Sequence, residues 1–147
     1  KASMMFGHVE TVEERINHLL TLRNIQDETK NFVAMMLFPF HPQNTELGKQ
    51  FNLKSVGAWE NLKMLAISRL VLDNFDHFKA FWVMLTLPIA QLALNFGADD
   101  LDGTIGEEKI INSAGANAKT ITKEILNKII RETGFEPVER DSFYNKI

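Results

Sequence analysis

The amino-acid sequence predicts an α/β protein in which parallel strands are covered by helices. Apolar runs of strand length alternate with segments whose apolar residues recur every three or four positions, as they do along one face of a helix. The strand-like runs are almost wholly apolar, which is typical of parallel strands that are buried on both faces. A length of 147 residues with 45% hydrophobic residues suits one folded unit.

The first two elements are a strand at residues 3–6 and a helix that begins after Thr11. Thr11 and Glu14 have the spacing of a capping box, in which each side chain accepts a hydrogen bond from the other residue's backbone N–H. Residues 27–31 interrupt the helical pattern. The predicted buried face of this helix consists of Val12, Ile16, Leu19 and Leu20.

The next two elements are a strand at residues 32–38 and a helix at residues 59–72, joined by a loop with two prolines. The helix carries an apolar stripe with a period near 3.6 residues. Its members are Trp59, Leu62, Leu65, Ala66, Arg69, Leu70 and Leu72.

Residues 78–85 read as a third strand, and a helix follows in which Pro88 occupies the first turn and Gly97 ends the segment. A short fourth strand is predicted at 100–105, with helices near 107–114 and 121–133. Gly134 ends the last helix, and the polar tail from Phe135 is expected to run over the surface. Four strands cannot close a barrel, so we expect further strands before Lys1.

Composition excludes several classes of function. The net charge is −3 without a basic stripe, so neither nucleic acid nor a membrane surface is an expected partner. The longest apolar run, residues 32–40, is far shorter than the roughly 20 residues of a membrane-spanning helix. The chain has no cysteine, and its four histidines lie on separate elements, so no metal site is predicted. No signal peptide precedes the first strand, and a cytoplasmic location is expected.

Gly7 and Glu10 follow the first strand, and two interpretations remain open. Gly7 can supply an unusual backbone angle in a strand-to-helix turn, with Glu10 favouring the helix N-terminus. Alternatively, Gly7 lets a ligand approach the backbone at the carboxyl end of the strand, where ligands bind in α/β folds.

The segment around Gly7 resembles the fifth strand and helix of the radical S-adenosylmethionine (SAM) enzymes of futalosine and deazaflavin biosynthesis. In such enzymes this strand carries a Gly-x-Ile-x-Gly-x-x-Glu pattern that packs on the adenine of SAM. Met5, Gly7 and Glu10 match its Ile, second Gly and Glu, whereas Ser3 replaces the first Gly. Two further segments carry the resemblance downstream, at residues 38–47 and 68–74.

Three segments indicate the aminofutalosine synthase branch: residues 79–83, 96–104 and 108–110. The cyclase that acts later in the same pathway typically has Ser-Trp-Val and Asn-Asp-Phe-Gly at the corresponding places. Asn112 stands where the synthases usually carry a His. Residues 138–141 and Tyr144 match the closing segment of the family.

The resemblance implies that residues 1–147 are the C-terminal portion of a TIM-like (β/α) barrel with its C-terminal extension, without the cluster-binding half. In such an enzyme a 4Fe–4S cluster held by three cysteines reduces SAM. The resulting 5′-deoxyadenosyl radical adds to an enolpyruvyl ether of benzoate, on the way to menaquinone. The implied partner is a small-molecule substrate, whereas the isolated chain is expected to be inactive and to bind neither cofactor.

The resemblance also implies two walls of a binding site. The SAM wall consists of Met5, Gly7, Glu10 and Met35, together with the backbone of residues 34–37. The substrate wall consists of His41, Asn44, Arg69 and Asp102. No catalytic residue is assigned.

Residue chemistry leaves alternatives for two members of the substrate wall. Arg69 on an apolar helix needs a carboxylate, which is either Asp73 four residues later or a substrate. The acids at 99–102 fit either a tight turn with Asx hydrogen bonds, which suits Asp99, or a ligand-facing strand end at Asp100 or Asp102, of which Asp102 is preferred. A calcium loop is excluded because Ala98 and Lys109 occupy its first and last positions.

Two other functions stay open: the cyclase of the same pathway, and a non-catalytic α/β fragment or interaction module. As isolated, the chain is expected to associate with itself, because strands that belong inside a barrel leave an unpaired edge and apolar faces.

Overall fold

The computed structural model describes residues 1–104 and 121–147. The predicted helix near 107–114, the end of the predicted fourth strand at residue 105, and Asn112 lie outside the described residues.

Within the described residues, the sheet consists of three parallel strands: β1 (Ala2–Phe6), β2 (Ala34–Pro39) and β3 (His77–Lys79), in the order β1-β2-β3. Ser3 lies beside Met36, and Met36 lies beside Lys79. Helices connect successive strands, because parallel strands need a crossover connection. The predicted α/β class is therefore confirmed, and the arrangement is consistent with part of a (β/α) barrel.

Six α-helices are described in these two stretches of the chain. They are α1 (Val12–Thr29), α2 (Glu46–Gln50), α3 (Ala58–Val71), α4 (Trp82–Leu85), α5 (Leu87–Ala93) and α6 (Lys123–Glu132), and a 3₁₀ turn (Leu94–Phe96) follows α5. Within the described part of the chain, no helix combines the length and the apolar character needed to cross a membrane.

Helix α1 begins with the predicted capping box, since Thr11 and Glu14 hydrogen-bond each other's backbone N–H. The predicted interruption from residue 27 is wrong, because the helix continues to Thr29 and ends at Lys30 with a φ of 52°. The side chain of Gln26 explains the extra turn: it hydrogen-bonds both the N–H and the carbonyl of Phe32 and so fixes the helix end to the start of β2.

The predicted buried faces of α1 and α3 are only partly correct. Val12 and Leu20 on α1 are 71% and 44% exposed, whereas Leu19 is fully buried. On α3, Trp59 and Leu70 are exposed, and the buried residues are Asn61, Leu62, Met64, Leu65 and Ser68. In each helix, fewer of the predicted apolar residues are buried than the sequence pattern suggests. Tertiary contacts determine which residues form the buried face.

The predicted third strand is wrong beyond residue 79. Strand β3 ends at Lys79, and residues 82–85 form α4 instead. A short apolar run fits a strand and a buried helix equally well, so periodicity alone does not separate them. The predicted fourth strand is reduced to one parallel bridge, Lys79 with Asp100, in which Ala80 N donates to Asp100 O at 2.7 Å.

The loop after β2 differs from the sequence prediction, whereas the two predicted glycine helix ends are correct. The loop after β2 contains α2, whose N-terminus is capped by the Thr45 hydroxyl. Gly97 and Gly134 have φ values of 107° and 86°, which confirms both predicted helix ends.

The two faces of the sheet have different surroundings, because side chains alternate along each strand. One face is buried against the helices. Its side chains come from all three strands: Ala2, Met4, Phe6, Met35, Leu37 and Phe78. The opposite face, here called the open face, carries Ser3, Met5, Met36, Phe38 and Lys79. Met5 is half exposed on this face.

Candidate functional site

A turn at the carboxyl end of β1 connects the sheet to α1. Gly7 has a φ of 86° in this turn, and a Cβ atom at this position would overlap the Cγ2 methyl of Val56. A left-handed backbone disfavours any residue with a Cβ atom. Gly7 is therefore required by the fold itself, as the first of the two interpretations holds.

Glu10 closes the same turn. Its carboxylate accepts hydrogen bonds from Gly7 N at 2.5 Å, His8 N at 2.8 Å and Arg15 Nε at 2.6 Å. Burial raises the pKa of Glu10, but the backbone N–H groups and the Arg15 guanidinium outweigh it, so the pKa lies below its ordinary value. Arg15 also donates to Glu60 at 2.8 Å, which ties the turn to α3.

The open face supplies the surface beside this turn. Met5 and Phe38 are neighbours in the sheet register, and the ring of Phe38 meets that of Phe81 edge to face, with centroids 6.0 Å apart. Met35 does not belong to this surface, because its side chain is fully buried on the helix side. Met36 holds the open-face position instead, and Met35 offers this face only its backbone.

His41 lies at the same edge of the sheet as Gly7, two residues after β2 ends. Phe40 N donates to Phe6 O at 2.8 Å, which joins the two strand ends. Among the described residues, buried His41 Nε2 has no hydrogen-bond partner. Asn44 is exposed and directly precedes the N-cap of α2. The structure therefore brings His41 close to the Gly7 turn and leaves Asn44 at its rim.

Arg69 is separated from these residues. Its Nη1 donates to the carbonyls of Phe75 at 3.0 Å and Asp76 at 3.3 Å, and its guanidinium lies 5.0 Å from the ring centroid of Phe78. Asp73, the partner considered from sequence, pairs with Arg23 instead. Since Phe78 faces the helices, Arg69 belongs to the helix side of the sheet and not to the open face.

Asp102 belongs to a buried cluster of charged groups that we call the tail cluster: Lys79, Asp100, Asp102, Arg140 and Tyr144. Lys79 Nζ lies 2.8 Å from Asp102 Oδ1 and 3.8 Å from Asp100 Oδ2. The Lys79 side chain is 3% exposed, that of Asp100 9% and that of Asp102 24%. The two carboxylates pair with Lys79 and Arg140, as buried charges require, and Lys1 is a third cation beside them.

Asp100 is the centre of the tail cluster, whereas the sequence suggested only a ligand-facing strand end for it. Its Oδ2 accepts from Tyr144 OH at 2.7 Å and from Arg140 Nη2 at 2.5 Å, and its Oδ1 accepts from Asp102 N at 2.8 Å. Burial raises the pKa of Asp100, but the Tyr144 hydroxyl, the Asp102 N–H and Lys79 outweigh it and hold the pKa below its ordinary value. Burial and the Asp100 carboxylate raise the pKa of Tyr144.

The predicted surface course of the tail is confirmed, since no residue from Phe135 to Ile147 is buried, but the tail is anchored to the rest of the chain at Arg140 and Tyr144. Tyr144 stacks on His77 with ring centroids 3.8 Å apart and an interplanar angle of 6°. The Arg140 guanidinium lies 4.3 Å from the Tyr144 ring centroid. Asp99 forms no isolated turn, because it accepts from Phe78 N at 2.6 Å and contacts His77 Nδ1 at 2.5 Å.

A cavity of about 560 Å³ lies between residues 98–104, α6 and the tail. Charged and apolar side chains line it together, including Asp99, Arg140 and Leu126. Its lining includes Asp102 with Asp100, Arg140 and Tyr144 of the tail cluster, but neither the Gly7 turn nor His41, so the cavity meets the predicted substrate wall only at Asp102.

The chain offers no fit for an iron–sulfur cluster. It has no cysteine, and such clusters are held by thiolates. Among residues 1–104 and 121–147, no three His, Asp or Glu side chains are grouped to hold a metal ion. The carboxyl edge and the open face, by contrast, can contact a ligand with an apolar surface and a few polar groups.

The fold and site define an α/β protein whose candidate site lies at the carboxyl ends of parallel strands, where ligands bind in this class. Residues 29–147 match the family described as the CofH/MqnC C-terminal region. The chain belongs to this family, which confirms the resemblance seen in its motifs.

Several curated relatives align with nearly all of the chain. Aminodeoxyfutalosine synthase of Thermus thermophilus is 40% identical over 99% of this chain and 40% of its own length. The synthase of Streptomyces coelicolor is 39% identical over 97% of the chain and 39% of its own length. The 5-amino-6-(D-ribitylamino)uracil–L-tyrosine 4-hydroxyphenyl transferase of Archaeoglobus fulgidus is 40% identical over 98% of the chain and 42% of its own length. The chain therefore spans about two-fifths of the length of these enzymes.

Proposed function

We propose that residues 1–147 form the C-terminal portion of an aminodeoxyfutalosine synthase-like radical SAM enzyme, a transferase that makes a carbon–carbon bond in menaquinone biosynthesis. The observation that carries this proposal is the 40% identity to the Thermus thermophilus synthase over 99% of the chain. The open face and the Gly7 turn support it, because they leave a surface at the carboxyl ends of the strands.

When bound, SAM and a 4Fe–4S cluster supply a 5′-deoxyadenosyl group as a radical for addition to the enolpyruvyl double bond of a benzoate ether. Because this chain has no cysteine, the cluster would be held by residues outside this sequence. The present chain would contribute binding and orientation.

The SAM wall would be the open face together with the Gly7 turn. Met5 offers a polarizable thioether that packs well on an aromatic surface such as adenine. Val56 fills the space beside the Cα of Gly7, so Gly7 would offer a ligand only its backbone, and Glu10 fixes the turn through three hydrogen bonds. Met36, rather than Met35, supplies the neighbouring open-face side chain.

The substrate wall would centre on His41 and Asp102. His41 Nε2 is buried and has no hydrogen-bond partner among the described residues, so a polar substrate atom would satisfy it. Asp102 is held by Lys79 and keeps part of its carboxylate exposed. Asn44 would contact substrate only at the rim, and Arg69 would stabilise the fold from the helix side.

The hydroxyphenyl transferase reaction is a second candidate. Its relatives reach the same identity, 40% over 98% of this chain for the Archaeoglobus fulgidus enzyme. Overall similarity does not separate the two reactions. The residues at 79–83 and 96–104 favour the synthase over the cyclase of the same pathway, and the substrate assay decides between synthase and transferase.

The test is a substrate comparison with the protein that carries this chain. Reconstituted protein is given SAM and reductant with either the enolpyruvyl ether of benzoate or the pair ribitylaminouracil and tyrosine. We expect SAM-dependent formation of an adenosine adduct of the ether, identified by mass spectrometry. Product formed only from ribitylaminouracil and tyrosine would favour the transferase. If SAM is not cleaved in the presence of either substrate, both candidate functions are contradicted.

His41 provides the variant for this assay. His41→Ala should raise KM for the ether about tenfold, because one hydrogen bond to a buried polar group is lost. The matched control is His18→Ala, since His18 is exposed on α1 and belongs to neither proposed wall. Equal kinetics for both variants would remove His41 from the substrate wall.

A further inference from the structure

We infer that the C-terminal tail is a positioning element: Arg140 and Tyr144, acting through Asp100, fix the segment that presents Asp102. The inference rests on the proposed role of Asp102 and extends it to residues that are distant in sequence. The effect of Tyr144 on a ligand would pass through Asp100, whereas Arg140 also acts directly, because its Nη2 lies 3.7 Å from Asp102 Oδ1.

Hydrogen bonds within the tail itself fix its conformation. Arg140 and Lys146 form an antiparallel bridge, and Ile147 N donates to Glu139 O at 3.0 Å. Asp141 accepts from the N–H groups of Phe143 and Asn145 inside this loop. A loop closed by its own hydrogen bonds can present two side chains at a fixed separation, so Arg140 and Tyr144 meet the same oxygen of Asp100.

Asp100 in turn holds the backbone of the neighbouring residues by hydrogen bonds. Its carboxylate accepts the N–H of Asp102 at 2.8 Å, and its carbonyl accepts the N–H of Ala80 at 2.7 Å. Trp82 Nε1 donates to Gly103 O at 3.1 Å on the other side of Asp102. The segment is therefore held from the tail, from the end of β3 and from α4.

The backbone of Asp102 indicates why such support is needed. Its φ of 67° is in the left-handed region, which is unfavourable for a residue with a side chain. Such a conformation persists where the surrounding structure over-determines it, and these places cluster at ligand sites. Releasing Asp100 would let Asp102 relax and move its carboxylate away from Lys79, 2.8 Å away in the structure.

The variant that isolates this effect is Tyr144→Phe, which removes the hydroxyl and keeps the ring that stacks on His77. Hydrogen exchange of peptides covering residues 98–104 is measured in the protein that carries this chain. We expect exchange there to rise about tenfold, as loss of a hydrogen bond to a charged group implies, with no change at residues 34–38. Arg131→Lys is the control, because Arg131 pairs with Glu136 on the surface of the same C-terminal region.

Kinetics then separate positioning from simple stabilisation. KM for the substrate should rise in Tyr144→Phe while kcat per folded molecule changes less, because the chemistry itself is untouched. Arg140→Lys, which keeps the charge, should restore part of the affinity lost in Arg140→Ala. Unchanged exchange at 98–104 would overturn the inference, and so would raised exchange with unchanged KM.

Failure of the proposed function has a different signature. Wild-type protein that is inactive on every substrate pair contradicts that function, and the exchange measurement then decides the inference by itself. In that case, faster exchange at 98–104 in Tyr144→Phe supports the positioning role, and unchanged exchange rejects it.

Discussion

Replacement of Gly7 by alanine tests the structural account of the turn after β1. The backbone at Gly7 has a φ of 86°, and the added Cβ would overlap the Cγ2 methyl of Val56. A left-handed backbone costs roughly 1–2 kcal/mol for a residue with a Cβ atom. Forcing an extra methyl group into a packed position costs roughly 1–3 kcal/mol. We therefore expect Gly7→Ala to lower the free energy of unfolding by about 2–5 kcal/mol.

The assay is urea unfolding of the wild type and a double-mutant cycle with Val56→Ala. In the Val56→Ala background the overlap is relieved, so the cost of Gly7→Ala should fall to roughly the backbone contribution of 1–2 kcal/mol. Gly103→Ala is the control, because a Cβ at Gly103 meets no atom within 4 Å. Its effect should stay within about 0.5 kcal/mol.

Two results would refute this reasoning. A cost for Gly7→Ala no larger than that for Gly103→Ala would show that the backbone of the turn adapts freely. An undiminished cost in the Val56→Ala background would show that Val56 is not the obstructing group. The first result would leave ligand approach as the remaining reason for a glycine at this position.

Four further predictions concern the fold and the isolated chain. Arg69→Lys should lower the free energy of unfolding by about 1–2 kcal/mol, because lysine cannot keep both carbonyl contacts and the stacking on Phe78. Activity per folded molecule should stay unchanged. Loss of activity at an unchanged melting temperature would instead make Arg69 a substrate ligand. Because the folded pKa of Asp100 is lowered, its contribution to stability is present above the unfolded pKa of about 3.9 and is lost as pH falls through the folded value. Acid titration of Asp100→Asn should therefore show a flatter loss of stability than the wild type, and equal slopes would contradict the assignment. The isolated chain should self-associate in light scattering through the open face and the edge of β1, which no strand of the described residues pairs with. A monomer at all concentrations without dye binding would contradict this. The isolated chain should also show no 4Fe–4S absorbance after anaerobic reconstitution and no SAM cleavage, which methionine release above a no-enzyme control would disprove.

Local signals in the sequence predicted the parts of the fold that depend on neighbouring residues. The capping box at Thr11 and the glycines at 97 and 134 acted as expected, since each depends on a few adjacent backbone groups. The apolar run at 78–85 was misread because a strand and a short buried helix present the same composition.

The candidate site shows a sharper limit. Met35 and Met36 are adjacent and chemically identical, yet one is buried on the helix side and the other lies on the open face. A shift of one residue in a strand exchanges the two faces, and the sequence pattern at 34–37 has no polar residue to set the register. The Gly7 turn, in contrast, was predicted because its residues are close along the chain.

Long-range partners were the least predictable feature. Asp100 contacts Arg140 and Tyr144, which lie forty or more positions away in the sequence, and no local pattern near either segment predicts these contacts. Arg69 similarly found backbone carbonyls rather than the carboxylate expected four residues later. Such contacts arise from tertiary packing, which overrides a pattern read along one helix.

The central claim is that the carboxyl edge and open face of this sheet form part of a SAM site. Hydrogen exchange of the protein that carries this chain, measured with and without SAM, tests it most directly. The account predicts slower exchange with SAM in peptides covering residues 5–10 and 34–38, and no change in the peptide covering α2 at residues 46–50. SAM binding or cleavage without any change at residues 5–10 and 34–38 would contradict the claim.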